Sequence, residues 1–321
     1  MRRVLVTGAT GFVGRHICQA LIAAGYAITA ATRSPSAVGI HPDVKIVNVG
    51  NIGPDTDWRQ ALDGVEIVIH AAGRTHVLRE PKDISEESYK RTNFEATRAL
   101  GNQAVKGGAE RFIFISSVKA GGEFSIPGQP LRAESFPAPE DPYGRTKLAA
   151  EAALFELARE SQMKVLALRA PLIYGPGIKG NLLSLFKVVD RGIILPLKHT
   201  NNKRDLIYVR NLIAAIMKTI DLQNISHKVY YVCDGKSVST SDLVKQISAA
   251  LGRPARLICL PIPILRILGW IFGQSSRVRR LTETLEIDGT QFCKDAEWIP
   301  PFTMKEGLAS TASWFKSQTR D

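Results

Sequence analysis

Cysteine is scarce in this chain and scattered. Cys18, Cys233, Cys259 and Cys293 are the four in 321 residues, and no two stand at metal-ligand spacing. That excludes a disulfide framework, and the thiols read as buried ones in a reducing compartment. A long apolar run is also missing. The most apolar stretch, LICLPIPILRILGWIFG, is interrupted by Pro261, Pro263 and Arg266, and it falls short of the ~20 residues that a membrane span needs. It reads as a helix packed between lobes, with a peripheral membrane contact as the alternative. The chain opens MRRVLVTGATGFVG and turns strand-like at once, without an apolar leader and cleavage site, so a cytoplasmic location is the expectation. Nor is there a basic tract. The net charge is +12, but the Lys and Arg residues are spread along the chain with no interleaved RNA-binding aromatics. This pattern argues against nucleic acid and fits small anionic substrates.

What is there reads as a globular protein, 45% hydrophobic and 22% charged, with ample length to bury a core. RRVLVT, YAITAATR, VKIVNV, VEIVIHAA and RFIFISS are strand-like. They alternate with helical patterns such as VGRHICQALIAAG and SEESYKRTNFEATRALGNQAVKGG. Strands alternating with helices imply right-handed crossovers and a parallel sheet covered on both faces. The fold class is therefore α/β, a doubly wound parallel-sheet Rossmann domain over residues 1–170 whose core extends into the C-terminal half. Residues 171–321 read mainly as a smaller α/β substrate lobe. There PLIYGPGIKGN reads as a loop, DLIYVRNLIAAIMKTI as a strand running into a helix, and STSDLVKQISAALG as a capped helix.

Two motifs carry chemistry. TGATGFVG places Gly8, Gly11 and Gly14 between the first strand and the first helix. Glycines there let the backbone turn tightly against a pyrophosphate, which the helix start then holds. The second strand ends ATRSPS, with no acid for the adenosine 2′-hydroxyl. Arg33 could hold a 2′-phosphate instead, which favours NADP(H) and leaves NAD as the alternative. The second motif is DPYGRTK. Asp141 is an N-cap residue and Pro142 suits the first helical position. Tyr143 and Lys147 then share one helix face at i, i+4. The ammonium and the helix N-terminus should pull the phenol down from its usual value near 10. Ser117 closes the fifth strand, at the sheet edge where ligands bind. These three residues can exchange a proton while hydride moves to or from a nicotinamide.

In this order and spacing, TGATGFVG, VIHAAG, RTNFEATRAL, FISS, PYGRTK, LRAPLIYGPG and RDLIYV cover nearly the whole chain. The sequence resembles an extended short-chain dehydrogenase/reductase of the nucleotide-sugar epimerase/dehydratase group. The resemblance implies catalytic roles for Ser117, Tyr143 and Lys147, with Lys147 also on the nicotinamide ribose and Asn93 supporting the site's water network. It extends the cofactor contacts to Phe12, Val13, Asn51, Ile52, Ala71, Ala72, Gly73 and Pro171. It places a UDP-sugar near Asn181, Leu182 and Arg204, with Arg280 as a second phosphate clamp. A homodimer through the long fourth-strand-following helix and the Tyr143 helix is implied as well.

Departures narrow the activity. Asn51 stands where relatives often carry Asp, and Gly121 where a tyrosine usually follows the catalytic serine. Val118 and Lys119 replace the Asp-Glu pair of dehydratases, which argues against dehydration. The favoured reading is an NADPH-dependent 4-ketoreductase of a UDP-4-keto-sugar, serving a bacterial surface polysaccharide. The alternative is a UDP-hexose 4-epimerase with retained NAD, which shares its catalytic residues. A non-catalytic dinucleotide sensor is a third class, disfavoured because all three catalytic residues are present.

Overall fold

The computed structural model describes residues 1–34, 41–75, 85–222 and 228–318. The chain begins with β1 (Arg3–Thr7), α1 (Phe12–Ala23), β2 (Ala27–Thr32), β3 (Lys45–Asn48), the short α2 (Arg59–Leu62) and β4 (Ile67–His70). Next come α3 (Glu86–Tyr89), a π-helical turn at Lys90–Glu95, α4 (Ala96–Lys106), β5 (Arg111–Ser117), α5 (Pro142–Arg159) and β6 (Lys164–Ala170). The remainder comprises β7 (Leu172–Tyr174), α6 (Gly180–Asp190), β8 (Leu206–Tyr208), α7 (Val209–Asp221), β9 (Lys228–Tyr231) and α8 (Thr240–Leu251). It ends with α9 (Ile262–Ile271), α10 (Ser275–Thr282), α11 (Thr290–Asp295) and α12 (Met304–Gln318).

The main sheet has seven strands in the order β3-β2-β1-β4-β5-β6-β9, and every neighbouring pair is parallel. Its central strands read VLVT, IVIH and FIFIS, near-continuous apolar runs suited to a sheet buried on both faces. One face packs Ile17, Cys18 and Leu21 of α1 with Leu212 and Ile216 of α7. The other packs Leu100 and Ala104 of α4 with Ala150 and Leu154 of α5. Strand order reverses between β1 and β4, which opens a crevice at their C-terminal ends.

β9 supplies the seventh strand from the C-terminal half. The rest of that half gathers Tyr174, Phe186, Tyr208, Ile247, Leu308 and Phe315 into a second core. PLIYGPGIKGN is not wholly a loop: β7 pairs in parallel with β8, because three residues suffice for a strand once a partner lies alongside. Ser239 caps α8, accepting from the Asp242 N–H. Cys18 and Cys233 are buried as expected, whereas Cys293 is half-buried and Cys259 exposed. The largest departure is α9, which does not pack between lobes. Gly269 is its one buried residue.

A pair of charges with almost no access to water ties α5 to the sheet. Arg169 of β6 donates to Glu151 through Nε at 3.0 Å and Nη2 at 2.6 Å, with both side chains no more than 3% exposed. Ser116 of β5 donates to the same carboxylate at 2.5 Å, and Arg169 Nη1 donates to the Tyr231 hydroxyl of β9 at 3.1 Å. Removing one member strands a buried charge, at a cost of about 3–5 kcal/mol. Glu151→Gln and Arg169→Met should each lower stability by that amount in denaturant unfolding. Replacing both with apolar residues of similar volume should cost less than either single change.

Candidate active site

The crevice between β1 and β4 is shaped by the absence of side chains. Gly8 has φ of +68°, and a Cβ there would stand 2.8 Å from the Ala72 N. A Cβ on Gly14 would stand 2.0 Å from the Gly8 O. The Gly11 N–H donates to the Gly8 O at 2.8 Å and closes the turn. Gly11 is also the N-cap of α1 and supplies no capping side chain. The first-turn amides at Phe12 and Val13 and the positive end of the helix dipole therefore face the crevice as an anion site. A backbone with no room for Cβ atoms and an N-terminus without a cap fits a dinucleotide pyrophosphate.

On the adenosine side, Arg33 and Asn51 are exposed and Ile52 is half-buried. Residues 35–40, which follow Arg33, lie outside the described residues. Pro171 is buried at the junction of β6 and β7.

Helix α5, which carries Tyr143 and Lys147, starts as the sequence predicts. Asp141 Oδ1 accepts from the Gly144 N at 2.7 Å, and Pro142 opens the first turn. The other oxygen, Oδ2, lies 2.5 Å from Lys119 Nζ, which also reaches Glu123 Oε1 at 2.9 Å. Lys119 comes two residues after Ser117, so one carboxylate links the end of β5 to the start of α5. The Ser117 hydroxyl hydrogen-bonds the Tyr143 phenol. Burial raises the carboxyl of Glu123 above its ordinary value, and the neighbouring Asp141 adds to this against the pull of Lys119.

Lys147 is buried, donates to the Ile115 O at 2.9 Å and lies 4.3 Å from the centre of the Phe114 ring. Burial pushes its ammonium down to about 8, with Glu151 opposing. Tyr143 does not follow the sequence expectation. Burial drives its phenol up to about 12, the Ser117 hydrogen bond pulls the other way, and Asp141 adds to the rise. Desolvation of the phenolate outweighs the helix N-terminus here.

Asn93 lies in the π-helical turn and grips the chain after β4. Its Oδ1 accepts from the Arg74 N at 2.7 Å and its Nδ2 donates to the Arg74 O at 2.9 Å. A methyl on Gly73 would lie 3.3 Å from Asn93 Oδ1 and 3.5 Å from Lys147 Nζ. Gly73, Asn93 and Lys147 therefore converge at the floor of the crevice, beside Ala71 and Ala72.

His70 was not singled out from the sequence, although a histidine ending the apolar run VEIVIH was a signal. It is fully buried. The Ala72 N–H donates to Thr7 Oγ1 at 3.2 Å, and Thr7 Oγ1 lies 2.6 Å from His70 Nδ1. His70 Nε2 lies 2.8 Å from Thr97 Oγ1, whose proton goes to the Asn93 O at 2.8 Å. With the Thr97 proton committed, Nε2–H is the donor and Nδ1 accepts from Thr7. A neutral imidazole thus links the Ala72 turn to the Asn93 turn. Burial, helped by the Lys147 charge, pushes His70 down to about 3.

Arg204 and Arg280 come close to each other in the C-terminal half. Arg204 donates to the Glu283 O at 3.2 Å. Burial and then the charge of Arg280 push its guanidinium down to about 10. The ion pair with Asp205 that sequence proximity suggests does not form; the Asp205 carboxylate accepts from the Ile287 N at 2.8 Å. Arg279 reaches Glu140 at 3.1 Å and so ties α10 to the approach of α5. Asn181 is exposed in the first turn of α6, but the side chain of Leu182 points into the lobe core. Contact from Leu182 would have to come from its main chain. The space that a tyrosine at position 121 would fill is occupied from β9: a Cβ on Gly121 would stand 1.9 Å from the Tyr231 hydroxyl oxygen. No cluster able to hold a metal ion occurs among the described residues.

The family model for NAD dependent epimerases/dehydratases matches residues 4–233, and the chain belongs to that family. It is therefore an enzyme of the extended short-chain dehydrogenase/reductase type. It is 38% identical over 316 residues to a UDP-glucose 4-epimerase of Vibrio cholerae, a match covering 98% of this chain and 95% of that one. It is 25% identical to the N-acetyl-α-D-glucosaminyl-diphospho-ditrans,octacis-undecaprenol 4-epimerase of Escherichia coli O157:H7, over 97% of this chain and 94% of the other. The solved structure of MoeE5 in complex with UDP-glucose and NAD superposes with a TM-score of 0.78 at 25% identity, covering 99% of each chain. That complex holds NAD, and the preference for NADP(H) read from Arg33 finds no support in these relatives.

The His70 linkage makes a testable prediction. A histidine held down to about 3 when folded and near 6.5 when unfolded stabilises the fold fully above pH 6.5. That contribution is lost as pH falls toward 3, by up to about 1.4 kcal/mol per pH unit. Melting temperatures measured across this range should fall less steeply for His70→Asn than for the native chain.

Proposed function

We propose that the chain is an NAD-dependent 4-epimerase of a UDP-hexose. The observation that carries this reading is the convergence of Ser117, Tyr143 and Lys147 with Gly73 and Asn93 at the strand-order reversal. The 38% identity to the Vibrio cholerae UDP-glucose 4-epimerase supports the same activity. The glycine turn and the α1 start would hold the dinucleotide diphosphate, and Lys147 the nicotinamide ribose. The nicotinamide supplies the hydride acceptor and donor at C4.

The protein's own residues manage the proton and the sugar. Ser117 donates to the C4 oxygen, and Tyr143 takes the hydroxyl proton as C4 is oxidised. Once the keto-sugar has turned its other face, Tyr143 returns that proton to the C4 oxygen. Lys147 carries its charge below pH ~8 and favours the phenolate that Tyr143 must pass through. Arg204 and Arg280 are two like charges brought close, and a diphosphate between them relieves the repulsion. Asn181, exposed in the first turn of α6, would meet the diphosphate from the lobe side.

One observation favours a second reading, the NADPH-dependent reduction of a UDP-4-keto-sugar. β2 runs into Arg33 and Ser34, with no acid to meet a ribose 2′-hydroxyl. Nucleotide released from denatured protein, identified by mass spectrometry, separates the two. Near-stoichiometric NAD, with interconversion of UDP-glucose and UDP-galactose, is the expected result. An empty site with NADPH consumed on a 4-keto-sugar would establish the reductase. Tyr143→Phe should lower turnover by about 10²–10⁴ while thermal stability holds.

A further inference from the structure

α9 presents its apolar side to solvent. Ile264, Ile267, Leu268 and Ile271 recur at i, i+3, i+4 and i+7, the spacing of a single helical stripe. This stripe is exposed, with Ile267 at 58% and Ile271 at 59%. Trp270 at 76% and Phe272 at 71% extend it toward the turn into α10. The opposite side is committed to α10. A Cβ on Gly269 would stand 2.6 Å from the Val278 Cγ2, so only glycine lets the two helices close into a hairpin. Contiguous exposed apolar surface of this kind marks an interaction site.

The charge around it selects the partner. Residues 243–282 contain no Asp or Glu, but they include Lys245, Arg253, Arg256, Arg266, Arg277, Arg279 and Arg280. Lys245, Arg253, Arg266 and Arg279 pair with Asp242, Asp190, Glu283 and Glu140, which leaves Arg256, Arg277 and Arg280 without a carboxylate partner among the described residues. An apolar stripe edged by tryptophan and flanked by these free cations matches the surface of an anionic bilayer. The helix is roughly 15 Å long at 1.5 Å per residue, too short for a hydrocarbon core of ~30 Å. No helix among the described residues is long and apolar enough to cross a membrane. The homodimer that the family resemblance implies would pair α4 and α5, which leaves α9 uncovered.

We propose that the α9–α10 hairpin docks on an anionic lipid surface, with α9 lying flat and its stripe at the headgroup–acyl boundary. Arg277, exposed on α10, adds attraction to the headgroups. The test is flotation of the purified full chain with vesicles of phosphatidylcholine alone or mixed with phosphatidylglycerol. Binding is expected only with phosphatidylglycerol, weaker in high salt, and with a blue shift of Trp270 emission that Trp270→Phe removes. Ile267→Ser/Ile271→Ser should weaken binding about ten-fold or more, and Arg277→Glu should weaken it too. Unchanged melting temperature and sugar turnover in solution would show that the variants fold. Absent flotation, equal flotation of the double variant, or equal binding to phosphatidylcholine would overturn the proposal. So would concentration-dependent self-association abolished by the double variant, which would make the face a contact between copies of this chain.

Discussion

Everything about the reaction site depends on where α5 lies, and the Glu151–Arg169 pair decides that. The helix carries Tyr143 in its first turn and Lys147 in its second, with Glu151 one further turn along. A bidentate charge pair admits little sliding or rotation. Ser116 and Tyr231 complete the carboxylate and the guanidinium, so strands β5, β6 and β9 are held by the same few atoms. Asp141 fixes the other end by capping the helix and holding Lys119. Between these anchors the phenol of Tyr143 can meet Ser117 only one way.

The electrostatics of the crevice are those of burial working against charge. Lys147, Tyr143, His70 and Arg204 are each displaced toward the neutral form, with desolvation as the leading cause. Phe114 lies between two of them: His70 stacks on it with ring centres 5.6 Å apart, and Lys147 lies over the same ring. Burial thus narrows the margin by which each cation keeps its proton and widens the margin by which the phenol keeps its own. At neutral pH Tyr143 and His70 stay neutral while Lys147 and Arg204 keep their charge, and an anion placed beside either cation would reinforce it.

How much of this was legible in the sequence follows from the range of each interaction. The Asp141 cap, the Gly8–Gly14 turn and the i, i+4 relation of Tyr143 and Lys147 are local, and local spacing reveals them. The strand–helix alternation reveals the sheet because crossover geometry leaves few alternatives. Glu151 with Arg169, and Gly121 with Tyr231, are meetings of distant segments, and no spacing rule announces them. The rise of the Tyr143 phenol was hidden for a related reason. Dipole and ammonium can be read along a helix, but the depth of burial cannot. α9 shows the converse limit. Apolar periodicity identifies a face with a partner but not whether that partner is this chain's own core.

The π-helical turn at Lys90–Glu95 gives the α3–α4 helix two phases along one axis. A single extra residue rotates all that follows by roughly 100° relative to what precedes it. Ser88 before the turn accepts from the Arg74 side chain and Asn93 within it grips the Arg74 main chain; downstream, Leu100 and Ala104 address the sheet. A continuous α-helix could satisfy one set only. The extra residue thus works like the offset in a camshaft, allowing one rigid rod to serve the crevice at one end and the core at the other. Shortening the turn by one residue would keep the helix and its packing while swinging the Asn93 amide off the floor of the site.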